Sequence, residues 1–248
     1  MSHFFKYPIN YTYNHHQFNA QVVPRVIDNT ANDNDYRTWS RYTKLVFETY
    51  GATTTDNSTI THIYIKSKNL DNYSVDAVTG KGTGTGLTNQ TIPANQVVEG
   101  FQHDLQPVSL EATEIEVTVT GTNTEVYEVM LLESLFEVDN IYSNVRVVRS
   151  NTGSRVRQNI KGDRFVVPGL SSRYKYNSAF ETLFLPTNVI TAEHFITSIQ
   201  NNPNFTFAED FSTWPDRVYP AGIASTFDIA PVDRRRDQKR VGFTIIEL

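Results

Sequence analysis

The cleanest pattern in the chain is a strict alternation between Glu114 and Thr120, where Ile115, Val117 and Val119 are separated by Glu116 and Thr118. Successive side chains of a strand point to opposite faces, so this stretch predicts a strand with one buried and one wet face. Gly121-Thr122-Asn123-Thr124 then reads as a turn, and Val126, Val129, Met130, Leu131 and Leu132 as a more fully buried return strand. So short a connection cannot make a parallel crossover, and the two strands are expected to pair antiparallel. Leu45 and Phe47 give a further strand signal before residue 138, as do Ile60, His62 and Tyr64 set against Ile63 and Ile65. Short antiparallel strands separated by loops suggest a β-sandwich of the jelly-roll kind.

The texture changes after residue 139. Strands are expected around 145–147, 165–167, 174–185, 205–207 and 241–246, and they bracket one helix. Ala192, Phe195, Ile196 and Ile199 fall at i, i+3, i+4 and i+7, with Thr191 placed to cap the start and Asn201-Asn202-Pro203 to stop it. The expected fold class is therefore mainly β, a jelly-roll β-sandwich over residues 29–138 followed by a smaller α+β domain, antiparallel sheet plus one helix, over 139–248. Residues 1–28 read as an N-terminal arm, with one short strand signal at 22–27 and too little apolar area to fold alone. Such an arm should lie on its own body or on a neighbour's. The turn formers of residues 28–35 read as a loop.

Composition narrows the function classes. The chain of 248 residues is 39% hydrophobic and 12% aromatic, a balance that suits strands. It holds no cysteine, which removes thiolate nucleophiles, disulfides and cysteine-ligated metals. A net charge of -5 argues against a general nucleic-acid binder, because phosphate contacts need a concentrated basic face. The start, Met1-Ser2-His3-Phe4-Phe5-Lys6, has no basic region ahead of an apolar run and is not expected to be a secretory signal. No window approaches the length of a membrane-spanning helix, so no membrane insertion is expected.

Candidate chemistry is sparse. Gly82-Thr83-Gly84-Thr85-Gly86 lacks the continuation of a phosphate loop and reads as a flexible surface loop. The six histidines, His3, His15, His16, His62, His103 and His194, show no metal-motif spacing, although His103 beside Asp104 could be an oriented imidazole. Glu111, Glu114 and Glu116 lie near Asp104 in sequence, but a solvated strand face explains Glu114 and Glu116 more simply than a glycosidase pair. No catalytic residue, cofactor or metal site is expected, and the chain is read as a non-enzyme.

Two segments read instead as contact surfaces. The stretch 204–220 is rich in aromatics and poor in periodicity, and Trp214, Arg217 and Tyr219 are residue types enriched at interfaces. The basic run 234–240 reads as an intersubunit ion-pair patch through Arg234, Arg235 and Arg236.

Residues 60–70 and Glu114 to Gly121, followed by the return strand, resemble the discoidin or galactose-binding-like jelly roll. Residues 164–176 and the terminal stretch 240–248 resemble bacteriophage tail or baseplate proteins, and the likeness spans residues 29–248. The resemblance implies a virion component, a tail adaptor assembled in the host cytoplasm. It would form a homo-oligomeric ring and dock other tail or baseplate proteins or fibres. The alternative it implies is a non-catalytic carbohydrate-binding module for a cell-surface glycan. No sugar-binding residue of that family can be matched to a position here.

Overall fold

The computed structural model describes residues 1–6, 25–26, 44–48, 58–122, 124–139, 141–143, 155–158, 164–167, 177–186, 188–224, 227–232 and 235–247. The strands in chain order begin with β1 (Ser2–Lys6), β2 (Arg25–Val26), β3 (Lys44–Glu48), β4 (Ser58–Lys68), β5 (Asn72–Ala77), β6 (Gly82–Thr85) and β7 (Leu87–Gln90). They continue as β8 (Val97–Val98), β9 (Phe101–Ala112), β10 (Glu114–Thr120), β11 (Glu125–Leu132), β12 (Ser134–Val138), β13 (Ile141–Ser143), β14 (Arg155–Gln158), β15 (Arg164–Val167) and β16 (Asn177–Phe184). Helix α1 (Ala192–Asn201) then precedes β17 (Asn204–Ala208), β18 (Val218–Ile223), β19 (Asp228–Val232) and β20 (Arg235–Glu247). The chain divides into two compact units, His3–Glu137 with Thr206–Val218, and Met1–Ser2 with Val138–Phe205 and Tyr219–Leu248. Residues 206–218, beyond the expected boundary at 138, thus belong to the first unit.

That first unit is a β-sandwich. One sheet runs β2-β3-β10-β5-β7 and the other β11-β4-β9-β6, with β8 on β9. Their facing sides enclose a core of Phe47, Ile60, Ile63, Ile65, Tyr73, Val75, Leu110, Ile115, Val117, Val119, Val126, Val129 and Leu131. The alternation read in β10 puts Ile115, Val117 and Val119 into this core, as expected. The opposite face of β4 and β11 is covered too. Tyr64, Met130 and Leu132 pack there with Phe5 of β1 and with Ala208, Phe211 and Val218. Strands β12, β1 and β17 run side by side in that order, and Phe4 packs on Phe136 and Phe207 with ring centroids 4.9 Å apart in both cases. Residues 2–6 of the expected arm are therefore a strand of the chain's own core, with Phe4 and Phe5 fully buried. Most of the remaining arm and the loop at 28–35 lie outside the described residues.

In the second unit the strand order is β18-β20-β16-β13, with β19 also on β20, while β14 and β15 pair with each other. Thr191 caps α1 by accepting a hydrogen bond from the His194 amide at 3.2 Å. Phe195 then packs its ring on Phe184 of β16 and Phe243 of β20, at 5.4 and 5.3 Å. The expected α+β part is present. Residues 145 and 147, read as a strand, lie outside the described residues.

Two sequence expectations fail in the sandwich. Strand β11 does not pair with β10. The short connection after β10 leads from one sheet to the other, so that β10 lies between β3 and β5 while β11 lies on β4. A short connection forbids a parallel crossover but does not oblige its strands to share a sheet. The glycine-rich segment is likewise no free loop. β6 pairs with β9 and β7 pairs with β5, so Gly86 is where the chain crosses between sheets. A Cβ on Gly86 would lie 1.8 Å from the Val75 carbonyl oxygen, and one on Gly84 1.9 Å from that of Ser109. Glycine is required there because backbone meets backbone. Gly86→Ala should accordingly lower the unfolding free energy by about 1–3 kcal/mol, as overpacking does. Urea denaturation measures this, and an unchanged midpoint would show that the crossing is looser than described.

Candidate functional site

The residues expected at an interface fall in both units, Trp214 and Arg217 in the first and Tyr219, Arg235 and Arg236 in the second. Trp214 is 43% exposed, whereas Tyr219 is 5% exposed and spends its ring within the chain. Arg217 donates to Glu209 at 2.7 Å in a pair with little exposure, and its guanidinium lies 4.0 Å from the centre of the Trp214 ring. The segment holding them is a closed loop. The Glu209 amide donates to the Arg217 carbonyl at 3.1 Å, and the Asp210 carboxylate accepts from the Ser212 and Thr213 hydroxyls at 2.8 Å each. Phe211 and Val218 at its ends are core residues. Arg234 lies outside the described residues, and Arg235 and Arg236 fall in β20. The end of the basic run is engaged within the chain, since Lys239 bonds Glu193 and Arg240 reaches Glu181 at 2.9 Å.

His103 and Asp104, adjacent on β9, point to opposite faces of its sheet. Asp104 is fully buried and accepts hydrogen bonds from the Tyr73 hydroxyl and the Gln106 amide, both at 2.8 Å. Burial raises its carboxyl above the ordinary carboxylate range, against the pull of those donors. Burial, and then the neighbouring Asp104, hold the Tyr73 hydroxyl protonated. His103, on the other face, meets the Tyr64 hydroxyl through Nδ1 at 2.8 Å. Glu114 and Glu116 sit on the wet side of β10, where Glu114 pairs with Lys81 at 3.1 Å. The structure does not bring them to Asp104, which a substrate cannot reach.

A cluster that sequence spacing gave no reason to suspect lies elsewhere in the sandwich unit. His3 of β1, His62 of β4 and Glu137 of β12 each offer a ligand atom within 4.8 Å of the others. His3 Nδ1 is 3.4 Å from Glu137 Oε1. It is buried and has no hydrogen-bond partner. Burial lowers the proton affinity of both rings, and for His62 the nearby His3 adds to the effect. Both imidazoles are thus held in the neutral form that carries a lone pair. His3 lies on the face of β1 that buries Phe5 and His62 on the face of β4 that buries Tyr64, a placing that no spacing in the sequence marks as a site.

In the second unit, Ile196, Ile199, Gln200, Pro203, Ile223, Phe227 and Ile229 line an open groove of about 540 Å³. Ile229, on β19, is 51% exposed. No helix among the described residues is long and apolar enough to cross a membrane. No protein-family model matches the chain, and no curated protein or solved structure is detectably similar to it.

Two predictions follow from the buried polar groups. Burial, aided by the Lys66 charge, lowers the His103 pKa from 6.5 to about 4. The unfolded chain therefore takes up the proton first, and the stability that His103 contributes is complete above about pH 6.5 and lost as the pH falls towards 4. The stability gap between the parent and His103→Gln should narrow by about 3 kcal/mol over that window in urea titrations. A gap independent of pH would contradict the neutral, buried ring. Arg217→Ala leaves Glu209 buried without its partner and should cost about 3 kcal/mol, whereas Trp214→Ala should cost less in the same denaturation assay.

Proposed function

We propose that the protein is a non-catalytic structural component that works by self-association, and that its setting is a bacteriophage tail or baseplate. There it forms a ring and docks neighbouring tail proteins or fibres. The observation that carries the self-association is the apolar groove beside α1. Six of its seven lining residues are apolar, and Ile229 on its wall is half in water. Apolar surface open to water favours association by about 25 cal/mol for each Å² it covers, and a second copy of the chain is the partner always present at equal concentration. The tail setting rests on the resemblance of residues 29–248 to tail and baseplate proteins.

The second reading, a glycan-binding module, draws on half-exposed Phe101 and Tyr127, whose rings meet edge to face at 5.0 Å on the sandwich. Aromatic faces can stack on sugars. Here Lys68 already lies 4.2 Å from the centre of the Phe101 ring and Lys66 4.9 Å, so a sugar would have to displace them. The assembly reading is the stronger.

Size-exclusion chromatography with light scattering, combined with negative-stain imaging, tests it. The parent should elute as a defined oligomer and show ring-shaped particles. Ile229→Glu should retain the circular dichroism spectrum while weakening association at least ten-fold, about 1.4 kcal/mol. A parent that stays monomeric at about 100 μM, the concentration of a weak complex, overturns the assembly reading. If that monomer also binds a glycan array through Phe101 and Tyr127, the module reading replaces it.

A further inference from the structure

We propose that His3, His62 and Glu137 form a binding site for a divalent transition metal ion, zinc being the closest match, that ties β1 to β4 and β12 within the sandwich unit. The donor set is two imidazole nitrogens and one carboxylate oxygen, which suits zinc and its neighbours rather than calcium or magnesium. Four ligands about 2.0–2.1 Å from a tetrahedral zinc stand about 3.4 Å from one another. His3 Nδ1 and Glu137 Oε1 are 3.4 Å apart. A direct histidine–carboxylate hydrogen bond closes to about 2.8 Å, so this spacing leaves room for an ion between the two atoms. His3 Nδ1, buried and without a hydrogen-bond partner, is what a ligand nitrogen looks like when its bond is to a metal rather than to a proton.

The surroundings orient the second histidine. Thr61 Oγ1 accepts the Ser134 amide at 2.7 Å and can give its own hydrogen to the Leu132 carbonyl at 3.3 Å. When it does, its remaining contact, His62 Nδ1 at 3.1 Å, is an Nδ1–H donor. The His62 lone pair is left on Nε2. Fixing the tautomer of a ligand histidine through its other nitrogen is the role that outer partners play in metal sites. Beneath the cluster Phe5, fully buried, stacks on His3 at 5.8 Å and meets His62 edge to face at 5.0 Å, which provides an apolar floor. Glu137 stands at the solvent edge, with its side chain 47% exposed. The ion would enter there, and water would complete its coordination.

The test uses the full chain with any purification tag removed and metal stripped by a chelator. Zinc titrated by calorimetry should saturate one site per chain, and cobalt(II) should give the visible absorption of a four-coordinate nitrogen and oxygen site. Zinc should raise the thermal midpoint by several degrees, since a ligand of the folded state alone stabilises it. His62→Ala and Glu137→Gln should each weaken binding at least ten-fold and abolish the thermal shift. Glu137→Gln is exposed and nearly isosteric, so it keeps the fold and separates loss of a ligand from loss of structure. His194→Ala, on α1, should change nothing. No saturable zinc binding below about 1 mM, or binding that survives in the combined variant His3→Ala, His62→Ala, Glu137→Gln, overturns the proposal.

Discussion

The sheet of β11, β4 and β9 is covered on both faces, and the rest of the sandwich unit is arranged around that constraint. On one side Ile63, Ile65, Val129 and Leu131 meet the sheet of β3, β10 and β5. On the other, Tyr64, Met130 and Leu132 need a second cover, which Phe5, Ala208, Phe211 and Val218 supply. Burying one such aromatic or aliphatic side chain is worth about 1.5–3 kcal/mol. An uncovered second face would thus forfeit several times the value of any single surface contact. The apolar N-terminal strand and the closed loop after β17 are explained by this need.

Double burial also decides where polar groups survive. Asp104 and His103 project to opposite sides of one strand, and each is matched with a tyrosine hydroxyl at 2.8 Å. A buried polar atom left unpaired costs more than its hydrogen bond contributes, so these pairs are conditions of burial rather than instruments of chemistry. His3 Nδ1 is an exception to the pairing rule, and it stands at the edge where the second cover meets solvent.

Local periodicity was legible, and partnership was not. The alternation of β10 and the apolar stripe of α1, with its Thr191 cap, are short-range patterns, and the structure places them as read. Adjacent Phe4 and Phe5 defeated pattern reading, because a strand covered on both faces loses its alternation. Whether β10 and β11 share a sheet depends on what lies across the core, which no local pattern encodes. The same holds for the glycines at 84 and 86, where the reason for glycine is a carbonyl from another strand. The cluster of His3, His62 and Glu137 comes from three distant stretches of chain, so its members carry no spacing signal. Trp214 and Tyr219 looked alike in sequence, and only packing separates the exposed ring from the buried one.

The second cover of the sandwich has a history as well as a geometry. Its pieces come from the first residues of the chain and from residues 206–218, with the surface they protect made in between. On a ribosome, β4 and β11 are therefore complete well before Phe211 and Val218 exist. During that interval Met130, Leu132 and Tyr64 form an apolar face open to solvent and to other nascent chains, a state in which folding intermediates aggregate. Closure over so long a separation in sequence is slow, and the yield of native protein depends on how well that face is shielded until synthesis passes residue 218.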